Sequence, residues 1–184
     1  MKKAFLAVPL LALLEGCASS YMAPAAGTPV ARLRIVQVTN DNIRIMKLHD
    51  ACLTTDKNAR HFGKYYDKIG YLGAVGSDLD KRRLAMPAPP AAPARFTEIP
   101  VAAGQPFHLG MDATRMVSAA MGAMVYSCVD AVTFTPVAGR DYEAVMQWPN
   151  GGQCEFGLVQ LQPQDDKVVR VAVKDAVPVR SACP

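Results

Sequence analysis

An antiparallel β-sandwich is the fold class this sequence predicts, and three observations carry it. Stretches of period-two alternation recur along the chain, short turn clusters separate them, and four cysteines beyond residue 50 form an even set suited to two disulfide staples. The 184 residues leave room for one domain with its own core, here residues 30–184. Half the residues are hydrophobic and a fifth charged, the balance of a folded chain rather than a disordered one.

The first element is an export signal. Lys2 and Lys3 precede the apolar run Ala4 to Leu14, which has signal-peptide length and is too short to span a bilayer as a stable helix. It ends in Leu14-Glu15-Gly16-Cys17, followed by Ala18-Ser19-Ser20. This junction resembles the lipobox of bacterial lipoproteins, with an aliphatic residue three before the cysteine and a small residue just before it. Glu15 departs from that pattern, whose position usually holds a small or apolar residue. The resemblance implies removal of residues 1–16, lipidation of Cys17 and, with Ala18 in place of an aspartate, sorting to the outer membrane. Two or three acyl chains anchor stably at about 0.8 kcal/mol per buried methylene. Losing Lys2, Lys3 and Glu15 takes the formal charge from +4 to +3. The densest basic cluster is Lys81-Arg82-Arg83, which a solvated loop explains, so no nucleic-acid partner is expected.

Residues 17–29 comprise the lipidated cysteine and a segment rich in Ala, Ser, Pro and Gly, expected to be a flexible tether. From Ala31 the chain alternates, with Leu33 and Ile35 set against Arg32 and Arg34, and Ile43-Arg44-Ile45 resumes the pattern after Thr39-Asn40-Asp41-Asn42. Residues 86–95 form a Pro-rich loop, since each proline removes a donor and fixes φ. Glu98–Val101 and Phe107–Met111 read as strands about a turn. Asp112 to Met124 reads equally as a short helix, with Met116, Val117, Ala120, Met121 and Met124 on one side, or as an irregular connection. Strands follow at Val125–Thr135, Tyr142–Trp148, Cys154–Leu161 and Val168–Val173, with Pro, Gly, Asn and Asp between them.

With Cys17 set aside, Cys52, Cys128, Cys154 and Cys183 remain, and an oxidising periplasm favours two disulfides. Four cysteines allow three connectivities. The expected pairs are Cys154–Cys183, pinning the C-terminal tail, and Cys52–Cys128, tying the two halves. Each closes a loop worth about 3–4 kcal/mol in the chain-entropy account.

Ala138-Gly139-Arg140-Asp141-Tyr142 resembles the tyrosine corner of immunoglobulin-like domains, in which a Tyr near a strand start bonds back across the turn. Ala144 stands where a true immunoglobulin domain has its second cysteine, so the resemblance implies the sandwich architecture alone. The stretch holding Cys128, Phe134-Thr135-Pro136, Gly139, Tyr142 and Cys154 is also similar to small uncharacterised envelope lipoproteins of proteobacteria. That likeness covers about a third of the chain and implies no activity.

No grouping in the sequence predicts catalysis. Ser127 lacks a nucleophile-elbow motif, Asp165 and Asp166 sit in a turn, and Gly70, Gly73 and Gly76 follow no strand that would make them a phosphate cradle. His49, Cys52 and His61 match no closed zinc spacing, so neither a metal nor another cofactor is expected. The candidate interaction site is His61, Phe62, Lys64, Tyr65, Tyr66 and Tyr71, where aromatic and cationic groups suit sugar stacking, anionic headgroups or a protein hot spot. An edge strand carrying tyrosines is the plainer account of the same residues. The sequence therefore predicts a non-enzymatic interaction or structural module, held at the outer membrane by its lipid and meeting an envelope protein or the cell wall. The alternative is a periplasmic inhibitor or ligand-binding lipoprotein using loops 61–95. A hydrolase with an unfamiliar site is a third possibility.

Overall fold

Hydrophobic alternation along this chain becomes two mostly antiparallel β-sheets. The computed structural model describes residues 20–37, 42–52, 66–72, 82–90, 95–119, 122–150 and 153–179. The strands are β1 (Val30–Gln37), β2 (Asn42–Leu48), β3 (Tyr66–Leu72), β4 (Arg95–Ala102), β5 (Phe107–Ala119), β6 (Gly122–Phe134), β7 (Asp141–Asn150), β8 (Gln153–Gln164), β9 (Lys167–Ala172) and β10 (Val177–Pro178). One sheet has the order β4-β1-β7-β8-β9, the other β10-β6-β5-β2-β3. All neighbours are antiparallel except β1 and β7, which run parallel from Arg32↔Asp141 to Gln37↔Met146.

The inward parity of each strand builds one shared core. Leu33, Ile35, Ile99, Tyr142, Ala144 and Met146 from the first sheet meet Ile43, Ile45, Leu109, Met111 and Phe134 from the second. Face-to-face packing of this kind removes alternate residues from water, at roughly 1.5–3 kcal/mol for each large aliphatic side chain fully buried. A second cluster of Met46, Leu48, Ala131 and Val179 lies on the other side of the β2–β5–β6 sheet. It forms because Gly110 has no side chain there: a Cβ would stand 3.1 Å from Leu48 Cδ2.

Two expectations meet a different outcome. The described part of Asp112 to Met124, read as helix or irregular connection, instead belongs to β5 and β6, which share thirteen pairs from Phe107↔Phe134 to Ala119↔Gly122. Its apolar residues fit a 3.6 period by composition, but pairing with a partner strand decides for extended backbone. Residues 20–29, whose composition reads as tether, are held against the body. Tyr21 N–H donates to the Lys68 carbonyl, Tyr21 Oη–H to the Pro100 carbonyl at 2.7 Å, and the Tyr21 ring stands edge-on to Phe107 at 6.3 Å. One aromatic ring and one hydroxyl with a partner fix a segment that small residues alone would leave loose.

Tyr142 Oη accepts a hydrogen bond from Val137 N–H at 3.1 Å, across the turn that opens β7. Gly139 takes φ +72° in that turn, a left-handed conformation that a side chain would strain.

Candidate functional site

Most of the expected interaction site, His61, Phe62, Lys64 and Tyr65, lies outside the described residues, as do Cys17 and Cys183. Tyr66 and Tyr71 fall on β3, an edge strand. Tyr66 packs beside the Met46–Leu48 cluster with its hydroxyl 3.5 Å from Arg44 Nη1, and Tyr71 is paired with Arg44 in register. β3 is the edge of its sheet. Of the imagined metal ligands, His49 Nε2 pairs with Asp67 at 3.0 Å and Cys52 is disulfide-bonded, as is Cys128. Cys154 is a position on β8.

A feature that sequence reading missed dominates the outer face of the first sheet. Arg32 and Arg34 take the outward parity of β1, Glu98 that of β4, and Asp141 and Glu143 that of β7. Register does the rest: Arg34 is directly opposite Glu98 on one side and Glu143 on the other, and Arg32 is opposite Asp141. Arg34 Nε bonds Glu98 Oε1 at 2.9 Å and Nη1 bonds Glu143 Oε2 at 3.1 Å. Arg170 of β9 reaches Glu143 Oε1 at 2.8 Å. Arg32 grips Asp141 with two bonds of 2.6 and 2.7 Å, the fork geometry that suits guanidinium to carboxylate.

The cover over this face is the segment 82–90. Its carbonyls point at the arginines: Leu84 O accepts from Arg32 at 3.2 Å, Met86 O from Arg34 at 3.2 Å and Pro89 O from Arg170 at 2.7 Å. Leu84 N–H donates to Glu98 Oε2, and Glu98 N–H donates to the Arg82 carbonyl. Arg83 caps one end, its guanidinium 3.8 Å from the Phe96 ring centre. A proline-rich segment suits this place, since prolines add no backbone donors to a face where arginines need acceptors. Ala85 and Ala88 adopt φ of 52° and 62°, the cost of turning successive carbonyls to the sheet. As a result Arg34, Glu98 and Glu143 are at most 3 % exposed, and the two arginines Arg34 and Arg170 balance the two glutamates. Buried charges persist where partners satisfy them. Their oxygens are held by arginines and a backbone amide, which ties the cover to the sheet.

A recess of about 220 Å³ lies where residues 21–28 meet the β4–β5 corner, lined by Tyr21, Met22, Lys47, Gln105 and Phe107. Burial, with the Asp67 charge added, pushes the Tyr21 phenol up to about 12. On the outer face of the second sheet His108 Nδ1 lies 2.8 Å from Thr133 Oγ1. Burial lowers the His108 pKa below its ordinary 6.5, against a smaller opposite pull from Asp50. The unfolded chain therefore takes up the proton first. Stability contributed by neutral His108 is complete above about pH 6.5 and falls as pH drops through the lower folded value. Urea midpoints measured from pH 7.5 to 4.5 should show this fall, and His108→Gln should flatten that portion of the curve; an unchanged slope would count against it.

No protein-family model, curated protein or solved structure matches this chain. Among the described residues no helix is long and apolar enough to cross a membrane.

Proposed function

We propose that this chain is an exported lipoprotein, anchored through Cys17 to the outer membrane, whose immunoglobulin-like sandwich serves as a non-enzymatic interaction module for an envelope protein or the cell wall. The observation that carries this reading is the N-terminal series: Lys2-Lys3, the apolar run, and Gly16-Cys17. The docking of Tyr21 agrees with it, because a lipid on Cys17 would sit three residues from Ser20, which bridges to Lys68. Three residues span roughly 10 Å at most, so the anchor would hold the domain close against the membrane. The immunoglobulin-like assignment is supported by the bond from Val137 N–H to Tyr142 Oη. A binding role, rather than a catalytic one, is supported by the engagement of Glu98, Asp141 and Glu143 with arginines. The alternative in which loops 61–95 close over a ligand is disfavoured by the segment 82–90, which is pinned to the sheet. Palmitate labelling of the parent and of Cys17→Ser in growing cells tests the anchor. Label on the parent that the variant loses is expected; an unlabelled parent or a labelled variant would overturn it. Crosslinking in intact cells should then recover a defined set of envelope proteins, and recovery of the chain alone would remove the module reading.

Two disulfides belong to the same proposal, and the registers bear on their pairing. Cys128 faces the core opposite Ala113, itself opposite Ile43, whereas Cys52 follows Leu48 at the far end of β2. Ile43 and Leu48 are five residues apart, about 17 Å along a strand, against the 4–7 Å between Cα atoms that a disulfide requires. This weighs against Cys52–Cys128. β6 and β8 meet across the core, and Cys154 has the parity of Phe156 and Leu158 along β8. We therefore favour Cys128–Cys154, which leaves Cys52 for Cys183. Non-reducing peptide mapping should yield these two linked pairs, and a Cys52–Cys128 peptide would refute the assignment.

A further inference from the structure

Lys47 stands in a core position. Along β2, Ile43 and Ile45 face the space between the sheets, and Lys47 repeats their parity opposite Leu109 of β5. A lysine tolerates such a place where its methylenes lie along apolar groups and its ammonium emerges among polar ones. Lys47 is half-buried and lines the recess at the mouth of the sandwich, beside the rings of Tyr21 and Phe107.

The rest of that lining carries no charge. Met22 and Pro24 contribute to one wall and Gln105 to another, and Lys47 is the only ionic residue on the recess. The two segments that build these walls are uncharged throughout, from Ser20 to Ala31 and from Ile99 to Phe107. Met22 is 84 % exposed, more than any other large apolar side chain among the described residues. Asp67, opposite Lys47 in register, is engaged by His49 Nε2 at 3.0 Å.

The N-terminal segment enters the fold at this recess. Ser20 bridges to Lys68, whose register partner Met46 is the neighbour of Lys47. Met22 is five residues from Cys17, a reach of at most about 17 Å of extended chain. An acyl group on Cys17 therefore keeps the recess close to a membrane surface, where the headgroup layer is itself about 5–7 Å deep.

We propose that the recess seats the phosphate of an anionic phospholipid, with the Lys47 ammonium on the phosphate and Met22 among the first carbons of the lipid. A bond between ammonium and phosphate belongs to the strong, charge-assisted class, and an exposed thioether gains by leaving water. A space of about 220 Å³ holds a phosphate and part of its glycerol, whereas a protein partner needs a broader matching surface. The nearness of the membrane rests on the anchored reading; the chemistry is that of the recess alone.

In the test the anchor is supplied chemically. The chain from Cys17 onward is exported behind a signal that leaves Cys17 a free thiol, which is coupled to a maleimide lipid in vesicles of phosphatidylglycerol and phosphatidylcholine. Mass spectrometry follows acetylation of Lys47 and peroxide oxidation of Met22, with Lys167 of β9 as the internal reference. Both groups should react about fivefold more slowly than in the same chain capped with N-ethylmaleimide in solution, the effect of one cation at an anionic surface. Vesicles of phosphatidylcholine alone should protect less, and Lys47→Gln should return Met22 oxidation towards its solution rate. Met22→Ser, a change at an exposed position, should in turn speed acetylation of Lys47 on the vesicles. Lys47 acetylated as fast on the anionic vesicles as in solution, or slowed no more than Lys167, would overturn the proposal. Equal protection by phosphatidylcholine alone would do the same. So would protection of the capped chain by inorganic phosphate to the same degree, an outcome that assigns the recess to free phosphate. Because the anchor is imposed, these outcomes hold whether or not cells acylate Cys17, which palmitate labelling decides separately.

Discussion

Arg34→Ala is expected to lower the unfolding free energy by about 3–5 kcal/mol, because it leaves Glu98 and Glu143 buried with their central cation gone. The Met86 carbonyl loses its donor in the same step. Arg32→Ala provides the comparison. Its side chain is 38 % exposed beside Asp141, and exposed pairs are worth at most about 1 kcal/mol. Urea unfolding of the two variants against the parent reads the difference as a midpoint shift. A second readout follows from the cover: when Met86 loses Arg34, the segment 82–90 should lift more often, and trypsin should cut faster at Arg82 and Arg83. An Arg34→Ala protein within about 1 kcal/mol of the parent and equally resistant to trypsin would show that the charges and the cover are not coupled.

Arg34 also marks the boundary of what the sequence makes legible. The alternation Ala31, Leu33, Ile35 against Arg32 and Arg34 assigns a strand and the side it buries, and Tyr142, Ala144 and Met146 do the same for β7. Such patterns are local, so β1, β2, β4, β7, β8 and β9 can be read before any pairing is known. The partners of the outward residues are not local. Arg34 meets Glu98 at a separation of 64 residues and Glu143 at 109, and a parallel β1–β7 pairing sets the second meeting. In the sequence these are polar residues on a wet face; the segment 82–90 makes them interior. Its prolines correctly exclude helix and central strand, but nothing in their spacing reveals that three carbonyls will meet three arginines. The stretch Asp112 to Met124 is obscured for another reason. Once both parities are apolar, a two-residue period leaves no trace, and Met116, Val117, Met121 and Met124 satisfy a helical spacing equally well. The expected aromatic site at 61–71 was drawn from composition, and its described portion is a sheet edge.

Phe134→Ala should be the most damaging single truncation in the core, at about 3–5 kcal/mol. Phe134 is 1 % exposed and lies in the middle of a row of rings. Its centroid is 6.1 Å from Phe107 and 5.2 Å from Tyr142, and Phe107 in turn meets Tyr21. The row crosses between the sheets, since Phe107 and Phe134 belong to one and Tyr142 to the other. It ends at the residue that docks the N-terminal segment. Removing the central ring should therefore do more than open a cavity. Phe107 would lose the neighbour that backs it, and Tyr21 would lose a fixed surface to stand against. Hydrogen exchange locates that consequence: the Tyr21 amide, bonded to the Lys68 carbonyl, should exchange faster in Phe134→Ala than global unfolding accounts for, while the Arg32 amide, bonded to the Arg140 carbonyl, should follow global stability. Tyr21→Ala should release residues 20–29 with a much smaller loss of stability, because the cavity is at the edge of the core. If the Tyr21 amide in Phe134→Ala tracks global unfolding alone, the row is ordinary packing and the segment leading to Cys17 is held by its backbone bond and the Pro100 carbonyl.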